Sequence, residues 1–150
     1  MKATLHADGG ARGNPGPAGI GVLLSDENGA AIGELAKGIG EATNNVAEYS
    51  AVIAGLELAR ELGVTDLEIA VDSKLVVHQL KGEWKIKNDR LRALALKARG
   101  LMSRFDSATI KHVRREENEG ADRLANQGMD AAELNLEQGG EWPEQASFTE

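Results

Sequence analysis

The stretch TNNVAEYSAVIAGLELA, residues 43 to 59, decides how the chain is read. Val46, Tyr49, Val52, Ile53, Leu56 and Ala59 recur at helical spacing and make one apolar face. Glu48 stands four residues before Val52, which sets a carboxylate at the rim of that face. Two explanations are open at this point. Asn45 and Glu48 have the spacing of a capping box, in which the acid folds back onto a backbone N–H. Alternatively, the acid reaches for a cation.

Working outward, the residues before this helix alternate β-prone runs with glycine: KATLHAD, GGARGNPGPAG, IGVLLSDENG and AAIGELAKGIG. They read as three strands, the last two joined by a turn at Asp26 to Gly29. The helix is expected from about Asn45 to Leu62, with Gly63 as its stop. LEIAVD, residues 67 to 72, alternates as a strand. SKLVVHQLKG reads as a helix ending at Gly82, and a longer helix is expected from about Asn88 to Phe105. ATIKHV, residues 108 to 113, is a fifth strand, and ENEGADRLANQGMDAA carries the last helix.

The order βββαβααβα predicts an α/β domain with a five-stranded mixed sheet and helices on both faces, because strands that return parallel must cross over through helices. The domain is expected over residues 1 to 130. Residues 131 to 150 form an acidic tail, expected to be mobile because glycine, proline and acids occur there without a steady period.

Composition bounds the rest. A chain of 150 residues with 41% hydrophobic content can bury a single core without covalent staples. Cysteine is absent, which removes disulfides and thiolate metal sites. No apolar run is long enough to span a bilayer and the start does not read as a signal peptide, so a cytoplasmic monomer without membrane contact is expected. The net charge of -7 argues against a nucleic-acid partner until its distribution is considered. Residues 129 to 150 hold six acids and no Lys or Arg, whereas residues 74 to 104 hold nine Lys or Arg against Glu83 and Asp89. That local excess is either a solvated helix face or a phosphate-binding segment.

Two strands end alike. KATLHAD stops at Asp8 and LEIAVD at Asp72; if they are parallel neighbours, both acids sit at the carboxyl edge of the sheet, where open α/β folds place ligands. Asp122 lies three residues before Ala125 and seven before Met129, at the rim of its own helix face. Each acid has an ordinary alternative: Asp8 opens a glycine turn, Asp72 caps a helix, and Asp122 complements a helix dipole. Four acids brought together raise one another's pKa unless cations neutralise them. Hard oxygen ligands without Cys or a His pair favour Mg²⁺, with Mn²⁺ as substitute, and a pair of such ions suits in-line phosphoryl displacement.

DGGARGNPGPAGIG, TNNVAEY, VDSKLVV and NEGADRLAN, in this order, resemble type 1 ribonuclease H over about residues 1 to 130. The resemblance implies that Asp8, Glu48, Asp72 and Asp122 are the catalytic, metal-binding acids. It implies two-metal hydrolysis of the RNA strand of an RNA/DNA hybrid, leaving 5′-phosphate and 3′-hydroxyl ends, with no organic cofactor. Asn14, Asn44 and Asn45 match positions that approach the RNA strand, Gly9 and Gly10 are further substrate-binding positions, Thr43 matches one that binds a DNA phosphate, and Trp84 one that stacks against the DNA strand. Lys74 stands where some members have a Gln that touches RNA.

The chain departs from the family in two further ways. HVRREENEGAD is short, and its His112 belongs to the expected strand rather than to a flexible histidine loop. The segment from Trp84 to Asp89 leaves no room for an extra basic handle helix, so Lys and Arg of residues 81 to 104 must grip the substrate. His6 and His78 are given no role.

Overall fold

The computed structural model describes residues 1–138. Three strands open the chain: β1 (Lys2–Ala11), β2 (Gly16–Asp26) and β3 (Ala31–Ala42). They are followed by α1 (Asn44–Glu61), β4 (Asp66–Val71), α2 (Lys74–Leu80), α3 (Asp89–Met102), β5 (Ser107–His112) and α4 (Glu119–Glu137). This is the expected order, with one addition: a single 3-10 turn at Arg115–Glu117 leads into α4.

The strands form one sheet in the order β3-β2-β1-β4-β5. β1, β2 and β3 are antiparallel neighbours, while β4 and β5 run parallel to β1. Alternation along β1 sends Leu5 and Ala7 toward α1, and α1 answers with the apolar face read from its sequence, all of it buried. α4 packs on the opposite face, so the sheet is covered from both sides where it matters for the site.

The expected strand ends need correction. β1 does not stop at Asp8 but pairs with β2 as far as Ala11, and β2 begins at Gly16. Glycines read as turn punctuation are here strand residues that let helices approach. A Cβ on Gly9 would collide with the carbonyl of Ala47 in α1, and one on Gly21 with backbone atoms of Ala121 and Ala125 in α4. Gly19, Gly38 and Gly128 extend this seam between α4 and the sheet.

α3 ends three residues before the expected Phe105. The boundary expected after residue 130 falls inside α4, which continues to Glu137 because Ala132 is buried against the sheet at Gly38. Residues 131 to 137 of the expected tail are thus helical, and the remainder from 139 onward lies outside the described residues.

Candidate active site

β1 and β4 pair in parallel up to Ala7 and Val71, so Asp8 and Asp72 follow the last paired residues at one edge of the sheet. Two neighbouring strands therefore deliver two carboxylates to the same place. Beyond this point β4 stops and Ser73 caps α2, its hydroxyl accepting from the Val76 N–H at 3.2 Å. β1 continues alone with β2.

Glu48 reaches the site through the missing side chain of Gly9, which lets α1 lie against β1 at Ala47. The capping-box reading is overturned. Thr43, not Asn45, caps α1: its Oγ1 accepts from the Val46 N–H at 3.3 Å, leaving Glu48 five residues into the helix. The Glu48 carboxylate instead faces Ser73, whose hydroxyl pulls its pKa down. Asp122 arrives from α4, whose start is tied to β1 by Asn118, the buried Nδ2 donating to the Ala7 carbonyl at 3.0 Å.

Asp8, Glu48, Asp72 and Asp122 line one cleft of about 730 Å³, together with Gly9, Gly10 and Asn44. Their charges conflict. Burial pushes the Asp8 carboxyl up from its ordinary 3.8 to about 8, reinforced by the charge of Asp72, a hydrogen bond with Asp122 and the charges of Asp122 and Glu48. Burial also raises Glu48, with the Asp72 charge adding to it and the Ser73 hydrogen bond opposing it.

This donor set fits hard divalent cations: it is all oxygen, and a cation would relieve the repulsion that Asp8 records. Among the described residues no group of three or more His, Cys, Asp or Glu side chains is drawn together closely enough to hold a metal ion by itself. An open arrangement of carboxylates suits an ion that keeps waters and shares its coordination with a phosphate, as Mg²⁺ does.

The remaining expected substrate residues divide. Asn14 joins the rim through Asn44: the Asn44 N–H donates to Asn14 Oδ1 at 3.0 Å, and Asn44 Oδ1 accepts from the Ala11 N–H at 2.9 Å. The β1–β2 loop and the start of α1 are thereby locked together. Thr43 and Asn45 flank Asn44, with Asn45 exposed. Lys74, the first residue of α2, and Trp84, in the loop after it, are exposed and lie outside the cleft lining.

The cleft also contains residues that the sequence left without a role. His112, the last residue of β5, lines it, as do Arg114, Arg115, Glu116, Asn126 and Met129. Arg115 Nη2 lies 3.7 Å from Asp122 Oδ1. The signal for Arg114, Arg115 and Glu116 was their position, just after a strand parallel to the one that precedes Asp72. His6, by contrast, is half-buried on the sheet near Lys111 and Glu68, with its pKa lowered by burial and by Lys111 against the opposing pull of Glu68.

Residues 6–128 match the family model described as reverse transcriptase-like. A curated bifunctional protein of Mycobacterium tuberculosis is 49% identical over 133 residues, covering 88% of this chain and 36% of its own length. The chain thus spans about a third of that relative. The N-terminal RNase H domain of the M. tuberculosis protein, solved as a fusion with maltose binding protein, superposes with a TM-score of 0.88 at 46% identity, over 91% of this chain and 99% of that one. Ribonuclease HI of Halobacterium salinarum is 47% identical over 85% of this chain and 65% of its own. An RNase H1 isolated from compost, solved in complex with an RNA/DNA hybrid, has a TM-score of 0.82 at 40% identity, over 87% of this chain and 98% of that one. The chain belongs to the type 1 ribonuclease H family.

Proposed function

We propose that the protein hydrolyses the RNA strand of RNA/DNA hybrids with divalent metal, leaving 5′-phosphate and 3′-hydroxyl ends. The observation that carries this reading is the convergence of Asp8, Glu48, Asp72 and Asp122 from β1, α1, the β4 edge and α4 on one cleft rimmed by Asn44. The compost RNase H1 solved with hybrid supports the substrate class.

Asp8, Glu48, Asp72 and Asp122 would hold the metal, Mg²⁺ by preference and Mn²⁺ as substitute. Two bound ions supply an activated water and charge stabilisation for the leaving oxygen. The chain's own residues do the positioning. Ser73, at the start of α2, faces the Glu48 carboxylate and favours its charged form, and Asn118 sets α4, hence Asp122, against the strand that carries Asp8.

Asn14 and Asn44 distinguish RNA from DNA. Each has its Oδ1 engaged, Asn14 by the Asn44 N–H and Asn44 by the Ala11 N–H, which leaves the Nδ2 groups to donate. A 2′-hydroxyl oxygen accepts such a bond, and deoxyribose has none to offer. Gly10, beside Asn44, keeps the strand edge low enough for a backbone to approach. Thr43 would meet a phosphate of the DNA strand, and Asn45 and Lys74 the RNA strand.

The test is cleavage of end-labelled hybrid, double-stranded RNA and double-stranded DNA, each with and without Mg²⁺ or Mn²⁺. Cutting of the RNA strand in hybrid alone, dependent on metal and lost in Asp72→Asn, is the expected result. Metal-independent cutting, or equal cutting of double-stranded DNA, would overturn the reading.

A further inference from the structure

The loop after α2 is short but heavily fastened. Gly82, at a φ of +77°, turns the chain back over the helix. The N–H groups of Glu83 and Trp84 both donate to the His78 carbonyl, at 2.9 and 3.2 Å. Gln79 Nε2 donates to the Lys85 carbonyl at 3.2 Å, while Gln79 Oε1 accepts from the buried Tyr49 hydroxyl at 2.7 Å. Arg92 holds the Ile86 carbonyl at 2.8 Å. Successive parts of the loop are therefore anchored to α2 and α3, with the α2 anchor Gln79 itself held by Tyr49 of α1.

Within this frame the Trp84 indole stacks on the His78 imidazole, with centroids 4.3 Å apart and planes 22° from parallel. His78 Nδ1 in turn lies 2.7 Å from Glu83 Oε1, which fixes the ring it presents. An aromatic ring buried for packing would be covered; Trp84 is 46% exposed, supported from below, with Lys81, Lys85 and Lys87 exposed around it. A rigid aromatic face bordered by cations matches a nucleic-acid strand, to which it offers stacking while the ammonium groups meet phosphates.

We infer that His78 is a positioning residue that holds Trp84 as a fixed platform for the DNA strand of the hybrid. This rests on the hybrid-cleavage reading above. The RNA strand must lie over the carboxylates and the asparagine rim, so a platform outside that cleft meets the other strand. Deoxyribose, with a hydrogen in place of the 2′-hydroxyl, also offers an indole face the less polar contact. With no further helix between α2 and α3, this loop supplies by fixed geometry what a longer basic arm would supply by reach.

The experiment measures KM and kcat on hybrid, and hybrid affinity by fluorescence anisotropy without metal, for wild type, Trp84→Ala, His78→Ala, His78→Phe and the His78→Ala/Trp84→Ala double variant. Thermal unfolding checks that each is folded. Trp84→Ala and His78→Ala are each expected to raise KM and weaken affinity roughly fivefold, with kcat within about twofold. His78→Phe, which restores a ring beneath Trp84 without the Glu83 contact, should recover most of the loss. The double variant should be no worse than Trp84→Ala.

A wild-type KM in His78→Ala, a failure of His78→Phe to rescue, or additive losses in the double variant would overturn the inference. If wild type does not cleave hybrid, the cleavage reading fails separately, and the anisotropy series still decides whether His78 acts through Trp84.

Discussion

Asn118 and Ala7 are 111 positions apart and joined by a hydrogen bond of 3.0 Å, from a buried carboxamide to a strand carbonyl. Ala7 precedes Asp8, and Asn118 begins the helix that carries Asp122. One bond thus sets the spacing of two of the four acids. The other side of the amide, Oδ1, is buried with no protein partner. Asn118→Ala is expected to lower stability by about 1 to 3 kcal/mol, because the Ala7 carbonyl loses its buried donor. Hybrid cleavage should fall further than folding does. Urea unfolding and kcat on hybrid, measured on the same preparation, check this; an unchanged kcat would mean that α4 finds its place without the bond.

Asp8 makes stability depend on pH. Its folded pKa, about 8, lies above its ordinary 3.8, so the folded protein holds this proton more tightly than the unfolded chain. The sign follows: the site contributes fully below about pH 4, and that contribution is lost as pH rises through about 8. Metal-free protein should therefore weaken across this range, and Asp8→Asn should be more stable than wild type at pH 8 by roughly 1 to 3 kcal/mol. Saturating Mg²⁺ should narrow the difference, because a cation relieves the same repulsion. Thermal unfolding at pH 5 and pH 8, with chelator or Mg²⁺, reads all of these. A less stable Asp8→Asn at pH 8 would show that Asp8 is not under strain.

Periodicity made the elements legible, and local rules misread several of their edges. The α1 face from Val46 to Ala59 was readable because burial every three or four residues is written into one helix. The four acids were readable because two follow the last alternating apolar residues of neighbouring parallel strands and two lie at helix rims. The capping box at Asn45 was a local pattern outweighed by Thr43, two residues earlier. Glycines near Asp8 looked like turns because nothing nearby in sequence announces that α1 and α4 will press against them. His112 and Arg115 were missed for a related reason. Arg115 enters the cleft through the path of an aperiodic connection, which no repeat encodes, and His112 from the end of its expected strand, where nothing local marks the cleft.

Gly21 and Gly100 should respond to alanine in opposite directions. A Cβ on Gly21 would strike backbone atoms of Ala121 and Ala125, so α4 must move away from the sheet and carry Asp122 with it. Gly21→Ala is expected to cost about 1 to 3 kcal/mol and to lower kcat on hybrid. Gly100 lies inside α3 with open space around it, and Gly100→Ala should stabilise by roughly 0.5 to 1 kcal/mol without touching activity. Denaturant midpoints and initial rates distinguish them. Equal effects would mean that the glycines of the sheet are not there to admit α4.

The extent of α4 sets where the chain can be shortened. Ala132 is fully buried, and Glu133 Oε2 lies 2.8 Å from Nη1 of Arg12, in the loop next to Asn14. Asp130 meets the same guanidinium at 2.6 Å. A chain ending at residue 130 removes the buried methyl and half of this clamp, whereas one ending at residue 138 keeps both. The shorter chain should unfold at lower urea concentration and bind hybrid more weakly, because the loop carrying Asn14 loses a tether to α4. Most of the stability loss should come from Ala132, since surface ion pairs contribute at most about 1 kcal/mol each. Arg12→Ala in the longer chain separates the two contributions: it should weaken hybrid binding with little change in the urea midpoint. If the two truncated chains unfold alike, the last turns of α4 are dispensable and the domain does end near residue 130.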